Sequence, residues 1–128
     1  MSPLKTLIVE DNAPFRETFV EALAKRFVWM VVDMAMNGAG ALEKIETFLP
    51  ALVFMDIRLP GESGLVLTRK IKERHPEIMV IILTAHDLPE YREAAYRGGA
   101  DGFIPKGSLN LEEVGRMIQS IFPGVPVG

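Results

Sequence analysis

Apolar residues in this chain fall into short, mostly apolar blocks separated by stretches in which they recur every three or four positions. The blocks are Leu4–Val9, Val28–Val32, Leu52–Met55, Ile78–Leu83 and Gly102–Ile104. Near-continuous hydrophobicity is what a strand shows when a parallel sheet is covered on both faces. The stretches between the blocks read as helices. Asn12 is placed to cap the first, with Pro14 in its opening turn, and Phe15, Phe19 and Leu23 share one face at four-residue spacing. A second helix is expected near Ala39–Leu49, with Leu42, Ile45 and Leu49 on its inner stripe. Leu67 and Ile71 mark a third that ends near His75 and Pro76, and Tyr91–Arg97 is a short fourth stopped by Gly98 and Gly99. A fifth spans about Leu109–Ile121, with Asn110 and Glu113 at capping-box spacing.

Five strands alternating with five helices predict an α/β fold, a doubly wound parallel sheet with right-handed crossovers. No internal repeat or low-complexity tract interrupts the alternation. The closing "FPGVPVG" is rich in Pro and Gly and reads as a tail or the start of a linker. The expected folded body is therefore residues 1–122, and the tail 123–128.

Composition removes several classes of function. A chain of 128 residues can bury one core without staples. Its net charge of −3, with acids and bases interspersed, argues against direct nucleic-acid contact by these residues. The absence of cysteine excludes disulfides, thiolate metal sites and thiol nucleophiles. No stretch approaches the roughly 18 apolar residues of a membrane span. The first apolar block meets Glu10 and Asp11 too soon for a signal peptide. The expectation is a soluble, cytoplasmic protein.

Open α/β sheets bind ligands outside the carboxyl ends of their strands. Here the first strand ends at Glu10 and Asp11, the third at Asp56, the fourth at Thr84 and Ala85 followed by His86, and the fifth at Lys106. Taken singly, each has an ordinary explanation: a helix-dipole acid, a turn opener, a strand-ending hydroxyl, a solvated lysine. Those explanations do not account for four strand ends on one rim all carrying reactive types. Three clustered carboxylates repel one another unless a cation sits among them. An all-oxygen donor set suits Mg²⁺, and a lysine and hydroxyl opposite would hold the remaining oxygens of a phosphoryl group.

With these residues in place, the chain resembles the receiver domain of two-component response regulators, a flavodoxin-like fold with strand order 2-1-3-4-5. The motifs that carry the resemblance are "LIVEDN" (7–12), "VFMDIRLPGESG" (53–64), "IILTA" (81–85) and "GADGFIPKG" (99–107), and it covers about Leu4–Phe122. It implies that Asp56 accepts a phosphoryl group from the phosphohistidine of a sensor histidine kinase. It also implies Asp11, Asp56 and the Arg58 carbonyl as Mg²⁺ ligands, with Glu10 acting through water. Lys106 would pair with the phosphoryl oxygens and Thr84 would reach them by its hydroxyl, while Phe103 moves inward. Output would pass as a population shift to the Tyr91–Ile121 region, Tyr96 included, and so to an output domain or target protein. Homodimerisation on phosphorylation is a further expectation of the resemblance.

Three features depart from the common pattern. The acid pair is Glu10–Asp11 rather than Asp-Asp. Pro105 precedes Lys106 and Gly107 follows it, where many relatives place a proline after the lysine in a cis peptide. Arg58 and His86 occupy positions that tune phosphate lifetime in the family. Two rival readings fail on residues. A Mg²⁺-dependent phosphohydrolase of the haloacid dehalogenase type needs an Asp where Arg58 stands, and a flavodoxin-like cofactor site would be repelled by "EDNAPF". Two outputs stay open: a stand-alone protein-binding switch, or the receiver of a transcriptional regulator carrying a helix-turn-helix domain.

Overall fold

The computed structural model describes residues 3–126. Five strands, β1 (Leu4–Val9), β2 (Met30–Ala35), β3 (Leu52–Met55), β4 (Met79–Thr84) and β5 (Gly102–Pro105), form one parallel sheet in the order β2-β1-β3-β4-β5. Five helices connect and follow them: α1 (Ala13–Arg26), α2 (Gly38–Thr47), α3 (Gly64–Arg74), α4 (Pro89–Arg97) and α5 (Leu111–Ile121). Fold class, strand order and helix number are those expected.

The pleat divides each strand's apolar residues between two cores. Leu7, Val9, Val53, Met55, Val80, Ile82 and Phe103 face one side, where Ala41 and Ile45 of α2, Leu67 and Ile71 of α3 and Ala95 of α4 cover them. Ile8, Leu52, Phe54, Ile81, Leu83 and Ile104 face the other, under Phe19 and Leu23 of α1 and Val114 and Ile118 of α5. Val125, in the segment read as a tail, is also buried in this second core, while residues 127 and 128 of that segment lie outside the described residues.

The structure departs most from the reading of the chain at β2, α2 and α5, while α4 begins at Pro89, two residues before the expected Tyr91. β2 lies at Met30–Ala35, two residues after the expected Val28–Val32. Phe27 closes α1 with its amide on the Leu23 carbonyl, and Met30 turns back onto Phe27, so Val28 sits in the turn at 85% exposure. The strand then runs through Asp33, a polar position that an edge strand tolerates and that here pairs with Lys44 at 2.6 Å. α2 buries Gly38, Ala41 and Ile45 rather than the expected Leu42–Ile45–Leu49 stripe, and Leu42 and Leu49 are exposed. The small face lets α2 approach closely: a Cβ on Gly38 would lie 3.2 Å from the Leu67 side chain. α5 begins at Leu111 because Lys106–Ser108 form a short 3-10 helix, and Asn110 caps α5 by accepting the Glu113 amide at 2.8 Å. None of the described peptide bonds is cis, those around Pro105 and Lys106 included.

Leu49, just past the end of α2, is the one described non-glycine residue with positive φ, at 55°. Left-handed backbone strains an L side chain, and the exposed Leu49 side chain recovers little of that by burial. Leu49→Gly is expected to stabilise the fold by about 0.5–1 kcal/mol, read as a higher urea midpoint with unchanged slope.

Candidate functional site

Strand ladders carry the first carboxylates to the rim. The Glu10 amide donates to the Ala35 carbonyl at 3.0 Å and the Asp56 amide to the Val9 carbonyl at 3.1 Å. Glu10 and Asp56 therefore inherit the rigidity of the sheet, although each lies one residue past its strand. Both are buried, whereas Asp11 is exposed. One carboxylate oxygen from each of Glu10, Asp11 and Asp56 lies within 4.8 Å of the others.

The turn after β1 is tied down twice. Asn12 donates its amide to Glu10 Oε2 at 3.1 Å, and its side chain caps α1 by accepting the Phe15 amide at 3.0 Å. From the far side of the rim, the 3-10 helix after β5 aims Lys106 inward. Its ammonium contacts Glu10 Oε1 and lies 3.5 Å from Asp56 Oδ2, with the Phe15 ring 4.3 Å away. The structure thus brings together Glu10, Asp11, Asp56 and Lys106.

One ammonium does not balance three carboxylates. Burial, followed by a hydrogen bond and repulsion from Glu10, raises the Asp56 pKa from 3.8 to about 7. Lys106 and the Arg58 amide pull the other way without overcoming it. The donor set is all oxygen and short of positive charge, which fits a hard divalent cation such as Mg²⁺.

Thr84 is fully buried at the end of β4, and its hydroxyl accepts the His86 amide at 3.1 Å. Among the described residues no hydrogen bond joins that hydroxyl to Asp56 or Lys106. Arg58 meets the site through its backbone, and its side chain is exposed. Phe103 is inward and buried, with the Arg92 guanidinium 4.5 Å above its ring. Arg92 also pairs with Asp87 at 3.2 Å. Tyr91 packs on the core beside His86, and Tyr96 is 47% exposed.

Reading the chain missed Arg16. It lies in the second turn of α1, is only 7% exposed, and donates from Nη1 to the Glu10 carbonyl at 2.9 Å. The available signal was positional, since Arg16 stands three and seven residues before Phe19 and Leu23 on the stripe that faces the sheet.

Known proteins agree with this geometry. The response regulator receiver domain family matches residues 6–119. Oxygen regulatory protein NreC of Staphylococcus carnosus is 34% identical over 122 residues, which are 94% of this chain and 56% of NreC. The DNA-binding transcriptional regulator NtrC of Escherichia coli is 37% identical over 112 residues, 88% of this chain and 23% of NtrC. The chain thus spans about half, or less, of these curated relatives. Response regulator TrrA of Thermotoga maritima, solved in complex with Mg²⁺-BeF, superposes with a TM-score of 0.82 at 30% identity, covering 95% of this chain and all of that one. With five strands in receiver order and three carboxylates and a lysine gathered at their carboxyl ends, the chain belongs to the response regulator receiver domain family.

Proposed function

We propose that the chain is a phosphorylation-dependent switch in which Asp56 accepts a phosphoryl group from a sensor histidine kinase. The observation that carries this reading is the gathering of Glu10, Asp11 and Asp56 on one rim, with Lys106 across Glu10 and Asp56. Asp11, Asp56 and the Arg58 carbonyl would hold Mg²⁺, with Glu10 acting through water. Bound there, the ion supplies the positive charge that the carboxylates and an incoming phosphoryl group both require. TrrA, solved with Mg²⁺-BeF, supports Mg²⁺ as the ion.

The chain's own residues then divide the work. An Asp56 carboxylate oxygen forms the new bond to phosphorus as the phosphorus–nitrogen bond of the phosphohistidine breaks, and the imidazole leaves with the bonding pair. Asp56 must be ionised to attack, and Mg²⁺ bound beside it would favour the ionised form that burial and Glu10 disfavour in the metal-free site. Lys106, now 3.5 Å from Asp56, would exchange part of that hold for a phosphoryl oxygen, and Thr84 would turn its hydroxyl from the His86 amide towards the same group. The Tyr91–Ile121 region, Phe103 included, would pass the change to an output domain or target protein. NreC and NtrC favour the receiver of a transcriptional regulator, with a stand-alone protein-binding receiver as the second reading.

The test is intact mass after incubation with Mg²⁺ and acetyl phosphate. The protein is expected to gain one phosphoryl group, and an excess of chelator is expected to abolish the gain. Equal labelling with chelator present would contradict the metal-dependent reading.

A further inference from the structure

Burying a guanidinium is costly, and Arg16 recovers little of that cost in the usual ways. Among the described residues no carboxylate pairs with it, so it is not one half of an ion pair. Its Nε is buried and has no hydrogen-bond partner among them. A Met or Leu would fill the same place on the α1 stripe without either penalty. What the guanidinium does make is one bond, from Nη1 to the main-chain carbonyl of Glu10, across six residues of chain.

That carbonyl belongs to the residue whose carboxylate takes the Lys106 ammonium and the Asn12 amide, and it is joined directly to Asp11. Arg16 is also anchored in its own right, because its amide donates to the Asn12 carbonyl at 2.9 Å as α1 begins. The guanidinium therefore spans the β1–α1 turn from inside and fixes the plane of the Glu10–Asp11 peptide. We infer that Arg16 is a positioning residue for the site, holding the turn so that the Glu10 and Asp11 carboxylates face Asp56. The inference rests on the reading of that site as a Mg²⁺-binding phosphoacceptor.

A rival role pulls in the opposite direction. If Arg16 acted only as a nearby positive charge, removing it would relieve repulsion and tighten Mg²⁺ binding. If it only fills space, Mg²⁺ binding would not respond at all. The experiment compares the full chain with Arg16→Met and Arg16→Lys. Mg²⁺ alone is titrated and followed at the Asp11 and Asp56 amides by NMR, and hydrogen exchange at the Asn12 amide is measured without metal.

Loss of positioning predicts a Mg²⁺ dissociation constant raised by about 10–100-fold in Arg16→Met. It also predicts faster Asn12 exchange and a smaller, several-fold rise in Arg16→Lys, which can still donate one hydrogen bond. A constant within twofold of wild type in variants that keep a cooperative unfolding transition overturns the inference, as does tighter binding. Should Arg16→Met fail to fold, Arg16→Lys carries the same test, since it keeps the charge and changes only the donor geometry. Wild-type protein that neither binds Mg²⁺ nor takes up a phosphoryl group refutes the underlying reading instead.

Discussion

In metal-free protein at pH 8, Asp56→Asn is expected to raise the unfolding temperature by on the order of 10 °C, and at pH 3.5 to leave it nearly unchanged. The reason is the direction of the Asp56 shift. Burial and the neighbouring Glu10 carboxylate lift its pKa in the folded state to about 7, from an ordinary value of 3.8. The folded chain thus holds a proton that the unfolded chain releases. Below about pH 4 both states are protonated and the residue is neutral to stability. As pH rises to about 7 the unfolded state gains from ionising while the folded state does not, so stability falls across that window and is level above it. The full shift corresponds to about 4 kcal/mol, and water reaching the open rim reduces it to about 2–3 kcal/mol. Asparagine keeps the shape without the charge, and Lys106 keeps Glu10 as partner. Thermal unfolding of both proteins from pH 3.5 to 8 measures the effect; parallel curves would mean that Asp56 is not held protonated. Saturating Mg²⁺ should raise the wild-type curve most above pH 7 and leave Asp56→Asn much less affected.

Gly64→Ala is expected to be the most damaging single methyl group in the molecule. A Cβ at Gly64 would lie 1.8 Å from the Asp56 carbonyl oxygen, 2.8 Å from its carbonyl carbon and 3.0 Å from Ile57 Cα. All three are main-chain atoms, so no rotamer change relieves the overlap. The Gly64 amide also donates to the Ile57 carbonyl at 2.8 Å, which holds the start of α3 against the end of β3. The loop must separate from the strand, at a cost of about 3 kcal/mol or more, and Asp56 is carried with it. Gly107→Ala is the matched control: it adjoins Lys106, but its Cβ would meet nothing within 4 Å. Urea unfolding and acetyl phosphate labelling of both variants check this. A fold and labelling rate unchanged in Gly64→Ala would show that the contact is not tight.

Much of this could be read from the chain, and the exceptions have physical causes. β1, β3, β4 and β5 are buried on both faces, so their ends are sharp in hydropathy and the rim residues follow from them. β2 is an edge strand that admits Asp33, and its apolar block is displaced into the turn at Phe27–Trp29. α2 packs through Gly38, Ala41 and Ile45, a face that hydropathy undervalues beside Leu42 and Leu49. Glu10, Asp56 and Lys106 were legible as a group because strand ends in a parallel sheet converge. Arg16 was not, because its worth lies in one bond to a carbonyl and a basic residue on a helix ordinarily reads as solvated. Close packing of the kind that excludes a methyl at Gly64 is tertiary and leaves no local signature beyond the glycine itself.

The central claim is that the phosphoryl group resides on one carboxylate, that of Asp56. Borohydride reduces an acyl phosphate to the alcohol and spares free carboxylates, so it converts a phosphorylated aspartate to homoserine. Protein labelled with acetyl phosphate and Mg²⁺, reduced, digested and mapped by mass is predicted to carry homoserine at position 56 and aspartate at position 11. Homoserine at position 11, or a reduced side chain at Glu10, or no reduction in protein shown to be labelled, would contradict the account.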